Sequence, residues 1–361
     1  MARLYLAIGS LNREAPYFQG ARGEGLTICS FDPATGDAAR ICGTDSADNP
    51  TFLSVDAASG VIYANSEVFG WHEGTVSAYR FDPAAGALIY LNKQPARGSI
   101  TAYNMVTPDR RFLLLANYAM GSGGPDQSLV SLPICANGNL GPVAAEIRHD
   151  GALGPDKDRQ ERPHPHCIVA APGGLFLSAD LGLDQVIAYR LSDDGAFQPV
   201  GAVSMPAGAG PRHIAPHHSG RFAFVSNELD STVSIVGIEE DSLTLRQTLP
   251  SVPDGAASHG ADIHLSPDGR FLYASNRGHD SIASFAVDQT TGEMTSTGWT
   301  ASGGETPRNF ALTPDGGWLL VANQNGDRIT LFRRDAETGA LTDSGKAIDI
   351  GTPVCIRPFI L

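Results

Sequence analysis

The chain has 361 residues, a formal net charge of −14, 42% hydrophobic residues and 18% charged residues. So acidic a balance excludes nucleic acid and anionic membrane surfaces as expected partners, because affinity for either rests on phosphate neutralisation by Lys and Arg, and so few charges exclude extensive disorder. Met1-Ala2-Arg3 leads directly into strand-like residues without a signal-peptide pattern, no apolar run approaches a membrane span, and Cys29, Cys42, Cys135, Cys167 and Cys355 include no Cys-x-x-Cys. The expectation is a cytoplasmic protein with reduced thiols.

From the N-terminus, Leu4-Tyr5-Leu6 reads as a short strand. The polar stretch 7–25 that follows is too long for a hairpin turn and is a candidate lid, and FDPATGD near Asp32 is a turn. A template of turn, apolar strand and polar break then begins with AASGVIYANSE around Gly60 and TPDRRFLLLANY around Pro108. It recurs as APGGLFLSAD, HHSGRFAFVSNE, SPDGRFLYASNR and TPDGGWLLVANQ, whose anchors at Pro172, His218, Pro267 and Pro314 lie 46, 49 and 47 residues apart. The fullest copy, 258–294, turns at Pro267-Asp268-Gly269, returns through Phe271 to Ala274, breaks at Asn276-Arg277-Gly278, alternates again from Ile282 to Val287 and turns at Thr291-Gly292. Period-two alternation between such turns marks short antiparallel strands. A period in the forties with about four strands per unit marks a propeller.

Six copies are whole and the seventh is split. Gly351 to Ile356 resembles the run from Thr306 to Phe310 and supplies the first strand that Leu4-Tyr5-Leu6 lacks. The predicted fold is therefore all-β: a seven-bladed β-propeller with four-stranded blades, one domain over residues 1–361. The C-terminal strand closes the ring in the first blade, so that no sheet edge stays open.

Six residues before the turn anchors stand His166, Arg212, Ala261 and Arg308, and at the ends of the second strands stand Glu67, Tyr118, Leu181, Glu228, Arg277 and Gln324. In an antiparallel blade both positions lie on one face, so the ring brings His166, Arg212, Glu228, Arg277 and Arg308 around one mouth. Polar groups converging in one concavity mark a small-molecule site. His164, Glu67, Arg308 and Gln324 are candidates for substrate binding there. The inserts 7–25, 70–74, 119–127 and 149–162 crowd the same end. A plainer reading has an arginine at a strand start capping loop carbonyls and His164 serving as a turn residue. Asp262 and His264, beside Ala261, read as packing or support, and Asn117, Asn276 and Asn323 recur with Asp180 as a shared turn hydrogen bond. No nucleophile elbow, P-loop, His-Glu-x-x-His or EF-hand loop appears, and Gly121-Ser122-Gly123-Gly124 lacks the strand-to-helix setting of a phosphate loop.

The strings Arg159 to His166, Gly210-Pro211-Arg212-His213, Ser226-Asn227-Glu228-Leu229 and Ser266 to Arg270 through Ser275-Asn276-Arg277-Gly278 resemble the seven-bladed propeller lactonase family. That family includes the bacterial propeller-type 6-phosphogluconolactonases and the fungal 3-carboxy-cis,cis-muconate cyclase. The resemblance runs from Leu4 to the C-terminus and departs at the first blade, where Ile8-Gly9-Ser10-Leu11 replaces a Gly-Thr-Tyr-Thr-like segment. It implies a hydrolase of carbohydrate metabolism that opens a small anionic lactone without a cofactor or metal, using His166, Arg212, Glu228 and Arg277 as catalytic residues. An acidic sugar lactone is the expected substrate, 6-phosphogluconolactone being the family default. The alternatives are a carboxymuconate-type lactonising cycloisomerase and, in another class, a non-catalytic protein-binding platform. The platform is disfavoured by the absence of Gly-His and Trp-Asp repeat signatures. Arg212 and Arg277 would hold the oxyanion and any substrate acid, and either Glu228 or His166 would move the proton.

The mouth positions contain two acids, Glu67 and Glu228, whereas a hard cation such as calcium wants six or more oxygens. Turnover should therefore survive EDTA unchanged. Loss of activity on chelation, restored by a divalent ion, would overturn this expectation.

Overall fold

In the computed structural model, which describes residues 3–16, 18, 20–119, 123–240 and 242–361, the repeated template folds into seven antiparallel sheets of four strands. Six sheets use four consecutive strands. Their strand pairs close at the Pro-Asp-Gly turns for a local reason. The Asp268 carboxylate accepts from Ser266 Oγ and from the Arg270 amide, and Gly269 takes φ +75°, a conformation that favours glycine. Asp109 and Asp315 accept from Thr107 and Thr313 in the same way.

The second strands Val61–Ser66, Phe112–Asn117, Leu175–Asp180, Phe222–Asn227 and Trp318–Asn323 are buried at every residue. Both their faces are covered by neighbouring blades, which is why they read as continuous apolar runs rather than alternating ones. Phe271, Tyr273 and Ile282 of the sixth blade, for example, pack with Phe310, Leu319, Val321 and Phe332 of the seventh. The outermost strands, such as Leu341–Asp349, are largely solvated.

The recurring asparagines differ from expectation in their partners. Asn117, Asn276 and Asn323 donate to the carbonyls of Ala96, Ser251 and Ser302, each in the connection arriving from the preceding blade. They tie one blade to the next instead of only closing a turn. The five cysteines form no disulfide, and no helix of the described residues is long and apolar enough to cross a membrane.

The first sheet combines Pro353–Ile360 with Leu4–Ser10, Leu26–Phe31 and Ala38–Thr44. The two chain ends pair antiparallel, Leu4 opposite Ile360, Ile8 opposite Ile356 and Ser10 opposite Pro353. This is the closure read from the split repeat. Val354, Ile356 and Phe359 are buried in it, and each such side chain contributes about 1.5–3 kcal/mol. That sum is comparable with the whole stability of a typical domain, about 5–15 kcal/mol. Deleting 351–361 should thus abolish the cooperative thermal transition, and a truncated chain melting within a few degrees of the full one would show that the ring does not depend on this strand.

Candidate active site

All the innermost strands but that of the second blade share an irregularity at their starts. In the fourth blade Pro165 pairs with Asp180 and Cys167 with Ala179, which leaves His166 as an extra residue. Arg212 is likewise extra between the pairs Pro211–Asn227 and His213–Ser226, Arg308 between Pro307–Asn323 and Asn309–Ala322, and Ala102 between Thr101–Asn117 and Tyr103–Ala116. A β-bulge re-aims the side chain it inserts. All four of these residues line one cavity of about 740 Å³.

The second strands end at the same cavity, contributing Glu67, Tyr118, Glu228, Arg277 and Gln324. Leu181, at the corresponding position, packs with Ile100, Ala102 and Tyr118 instead. Of the inserts, 7–25 supplies Phe18 and Arg22 and 149–162 supplies Arg159, whereas 70–74 and the described part of 119–127 stay out of the wall. Residues 17, 19 and 120–122 of these inserts lie outside the described residues, as do Gly121 and Ser122 of the glycine-rich string. His164 stands behind the cavity: its ring stacks 4.3 Å from that of Tyr118, Nδ1 lies 2.6 Å from the Tyr118 carbonyl, and Nε2 lies 3.0 Å from Glu161.

Glu228 is the electrostatic centre. Its Oε2 accepts from Arg212 Nε at 3.0 Å and lies 3.1 Å from Arg277 Nη2, and its Oε1 accepts from Arg159 Nη2 at 2.6 Å. Burial alone would push its pKa up. Arg277, Arg212 and Arg159 outweigh that and hold the carboxyl well below the usual range. Arg308 reaches Glu67 at 3.3 Å. His166 is held low as well, but here burial works with the charges: burial first, then the Arg212 charge, hold its pKa well below the ordinary histidine value, so the ring is neutral at pH 7. Its Nδ1 is buried with no hydrogen-bond partner among the described residues.

Behind these groups lies Asp262. Its Oδ1 is 2.7 Å from His213 Nδ1 and its Oδ2 is 2.9 Å from His264 Nε2, and Asn309 donates to Oδ2 as well. Arg212 Nη1 in turn lies 3.2 Å from His213 Nε2 and donates to the Ala261 carbonyl at 2.9 Å. Asp262 and His264 thus form the support expected of them. Among the described residues no cluster of three or more His, Cys, Asp or Glu has the spacing to hold a metal ion.

A family model described as "Lactonase, 7-bladed beta-propeller" matches residues 5–358. The chain belongs to this lactonase family. It is 35% identical over 267 residues to the 6-phosphogluconolactonase of Bacillus subtilis (strain 168), covering 73% of each chain. It is 32% identical over 313 residues to that of Formosa agariphila, covering 84% of this chain and 85% of the relative. The solved structure of the Pseudomonas aeruginosa periplasmic gluconolactonase superposes with a TM-score of 0.85 at 30% identity, covering 99% of each chain. As a member of the family this propeller is a lactone hydrolase.

Three ionisable cavity residues of this lactonase escaped counting along the repeat: Arg22, Arg159 and His259. Arg22 and Arg159 sit in inserts that have no repeat position. His259 begins the innermost strand His259–Leu265, and nothing in its neighbourhood distinguishes it from any strand-start histidine.

Burial and Arg212 hold the pKa of His213 down to about 4, against the opposing pull of Asp262. The unfolded chain takes that proton near pH 6.5 and the folded one only near 4, so this contribution to stability is complete above about 6.5 and is lost as the pH falls toward 4, up to about 3 kcal/mol in all. The lactonase should accordingly lose melting temperature across that window. His213→Gln, which cannot take the proton, should lose less. Parallel melting curves for the two proteins from pH 7 to 4 would contradict the assignment.

Proposed function

We propose that this lactonase hydrolyses a sugar lactone bearing an acidic group, 6-phosphogluconolactone being the first to test, with residues 1–361 working as one propeller and the chemistry at the channel mouth. The observation that carries the reading is a neutral His166 in a cavity lined by five arginines and two glutamates. Such an excess of cations favours an anionic substrate. The names of the Bacillus and Formosa relatives suggest the phosphorylated sugar, and that of the Pseudomonas enzyme suggests its uncharged counterpart as the comparison.

A lactone opens when the oxygen of water bonds to the carbonyl carbon, the carbonyl oxygen becomes anionic and the ring C–O bond breaks, its oxygen leaving with a proton. Arg212 and Arg277 present planar, permanently charged donors to the oxyanion. One such well-placed donor is worth on the order of 10²–10³ in rate. His166 takes the proton of the attacking water and returns it to the departing alkoxide. Glu228 is assigned no proton transfer, because guanidiniums already occupy both of its oxygens, whereas His166 Nδ1 has no partner among the described residues. Its role is to fix the planes of Arg212 and Arg277. The cost of burying that carboxylate is offset only because its partners are paired with it.

A lactone panel tests the reading: the phosphorylated sugar lactone should be the best substrate, and failure to turn over any lactone would overturn the proposal. His166→Gln should lower kcat about 10²–10⁴-fold, and Arg277→Lys, which keeps the charge but loses the fork, about 10²-fold. Because the neutral ring is the active form and its pKa is depressed, kcat/KM should rise with pH along a limb centred below 6.5 and be flat at neutrality. A limb centred above 6.5, or a His166→Gln enzyme near wild-type rates, would remove His166 as the base.

A further inference from the structure

Glu228 has more cations than it needs to stay ionised. Two come from blade strands and share Oε2. The third, Arg159, comes from the strap 148–164, which contains no strand yet is fastened along its length. The His149 amide donates to Ser128 Oγ, and its ring sits 2.7 Å from Asp180 and 2.8 Å from the Tyr189 hydroxyl. Farther on, the Gly154 amide donates to the Gly182 carbonyl, Gln160 Nε2 donates to the Leu181 carbonyl, and Asp156 accepts from the amides of Asp158 and Arg159. Ordering a segment costs roughly 1–2 kcal/mol per residue in backbone entropy. What this strap delivers to the cavity wall is one side chain, Arg159.

Arg159 spends a single nitrogen on the protein. Its Nη2 donates to Glu228 Oε1 and, at 3.2 Å, to the Tyr118 hydroxyl, while Nε and Nη1 have no partner among the described residues. The guanidinium is thus oriented by an acid and a phenol, with its remaining donors unspent. The side chain is 35% exposed, against 17% for Arg277 and 3% for Arg212. Depth therefore runs from Arg159 at the rim to Arg212 and the buried His166 at the floor. A substrate whose lactone carbonyl reaches the floor can place its far end beside Arg159, whereas Arg22, the other exposed arginine of the lining, is engaged by Asp327.

We propose that Arg159 forms the subsite for the acidic substituent of the substrate, a phosphate or carboxylate carried at the end remote from the lactone carbonyl. This rests on the lactonase reading above. It separates two duties among the arginines: those on the blades face the reacting carbonyl, and the one on the strap selects which lactones arrive.

The test is the ratio of kcat/KM on 6-phosphogluconolactone to kcat/KM on glucono-δ-lactone, measured for wild type, Arg159→Gln and Arg159→Lys. The Gln variant should lower that ratio on the order of 10- to 100-fold, the value of one charge-assisted hydrogen bond, mainly through KM on the phosphorylated substrate. Lys should restore part of it, and Lys decides the matter if the Gln protein does not fold. Inorganic phosphate should compete with glucono-δ-lactone in wild type and more weakly in the Lys variant. An unchanged ratio, or equal losses on both lactones, overturns the subsite while leaving the hydrolase reading in place. A wild-type enzyme that turns over only glucono-δ-lactone overturns the subsite as well, and one that turns over neither lactone removes both conclusions.

Discussion

The site depends on one geometric constraint, the break in register at the start of six of the seven innermost strands. Along a regular strand successive side chains alternate between two faces, and in a propeller both faces are already spoken for by neighbouring blades. A bulge supplies a residue that belongs to neither face. At Ala102, and at Val354 between the pairs Pro353–Ser10 and Cys355–Gly9, that residue is small or apolar. Where it is His166, Arg212 or Arg308, the cavity wall gains a charged or titratable group. In the sixth blade the irregularity spans Ala261 and Asp262, and it is Asp262 that becomes the anchor for His213 and His264.

This also explains how much was legible beforehand. Tandem repetition converts sequence distance into angular position, so a count from the turn places His166, Arg212, Glu228 and Arg277 on one rim although they come from three blades. The same logic found the closing strand. It failed wherever the chain leaves the repeat. Arg159 and Arg22 have no blade register, and nothing along the strap foretells which of its arginines turns inward. His164, read as a candidate for substrate binding or else a turn residue, stacks on Tyr118 and does not line the cavity. Telling His166 from Glu228 needed three-dimensional charge: both are buried, burial lowers the proton affinity of the histidine and raises that of the carboxylate, and only the arginines gathered around Glu228 bring its proton affinity down as well.

Concentrating buried guanidiniums around one carboxylate is an expensive way to hold a shape, and replacing such a cluster with apolar side chains is often neutral or stabilising. The blades tolerate it because their stability lies elsewhere, in the apolar contacts between neighbouring sheets and in the asparagines that clasp each sheet to the connection before it. Rigidity contributed by the ring lets the mouth carry charge that a small, loosely packed domain could not hold in place.

Pairing the two chain ends has a consequence for biosynthesis. Strand Leu4–Ser10 is translated before the other strands of the propeller, and its inner partner, Pro353–Ile360, after all of them. Six blades can form in order of synthesis, each from contiguous chain, while the first waits with one row of backbone amides and carbonyls unpaired. An exposed edge of this kind is a template for pairing with another nascent chain. Closing the ring thus requires the capture of a late strand across the span from Leu4 to Ile360, a strand pairing of the highest sequence separation the fold contains.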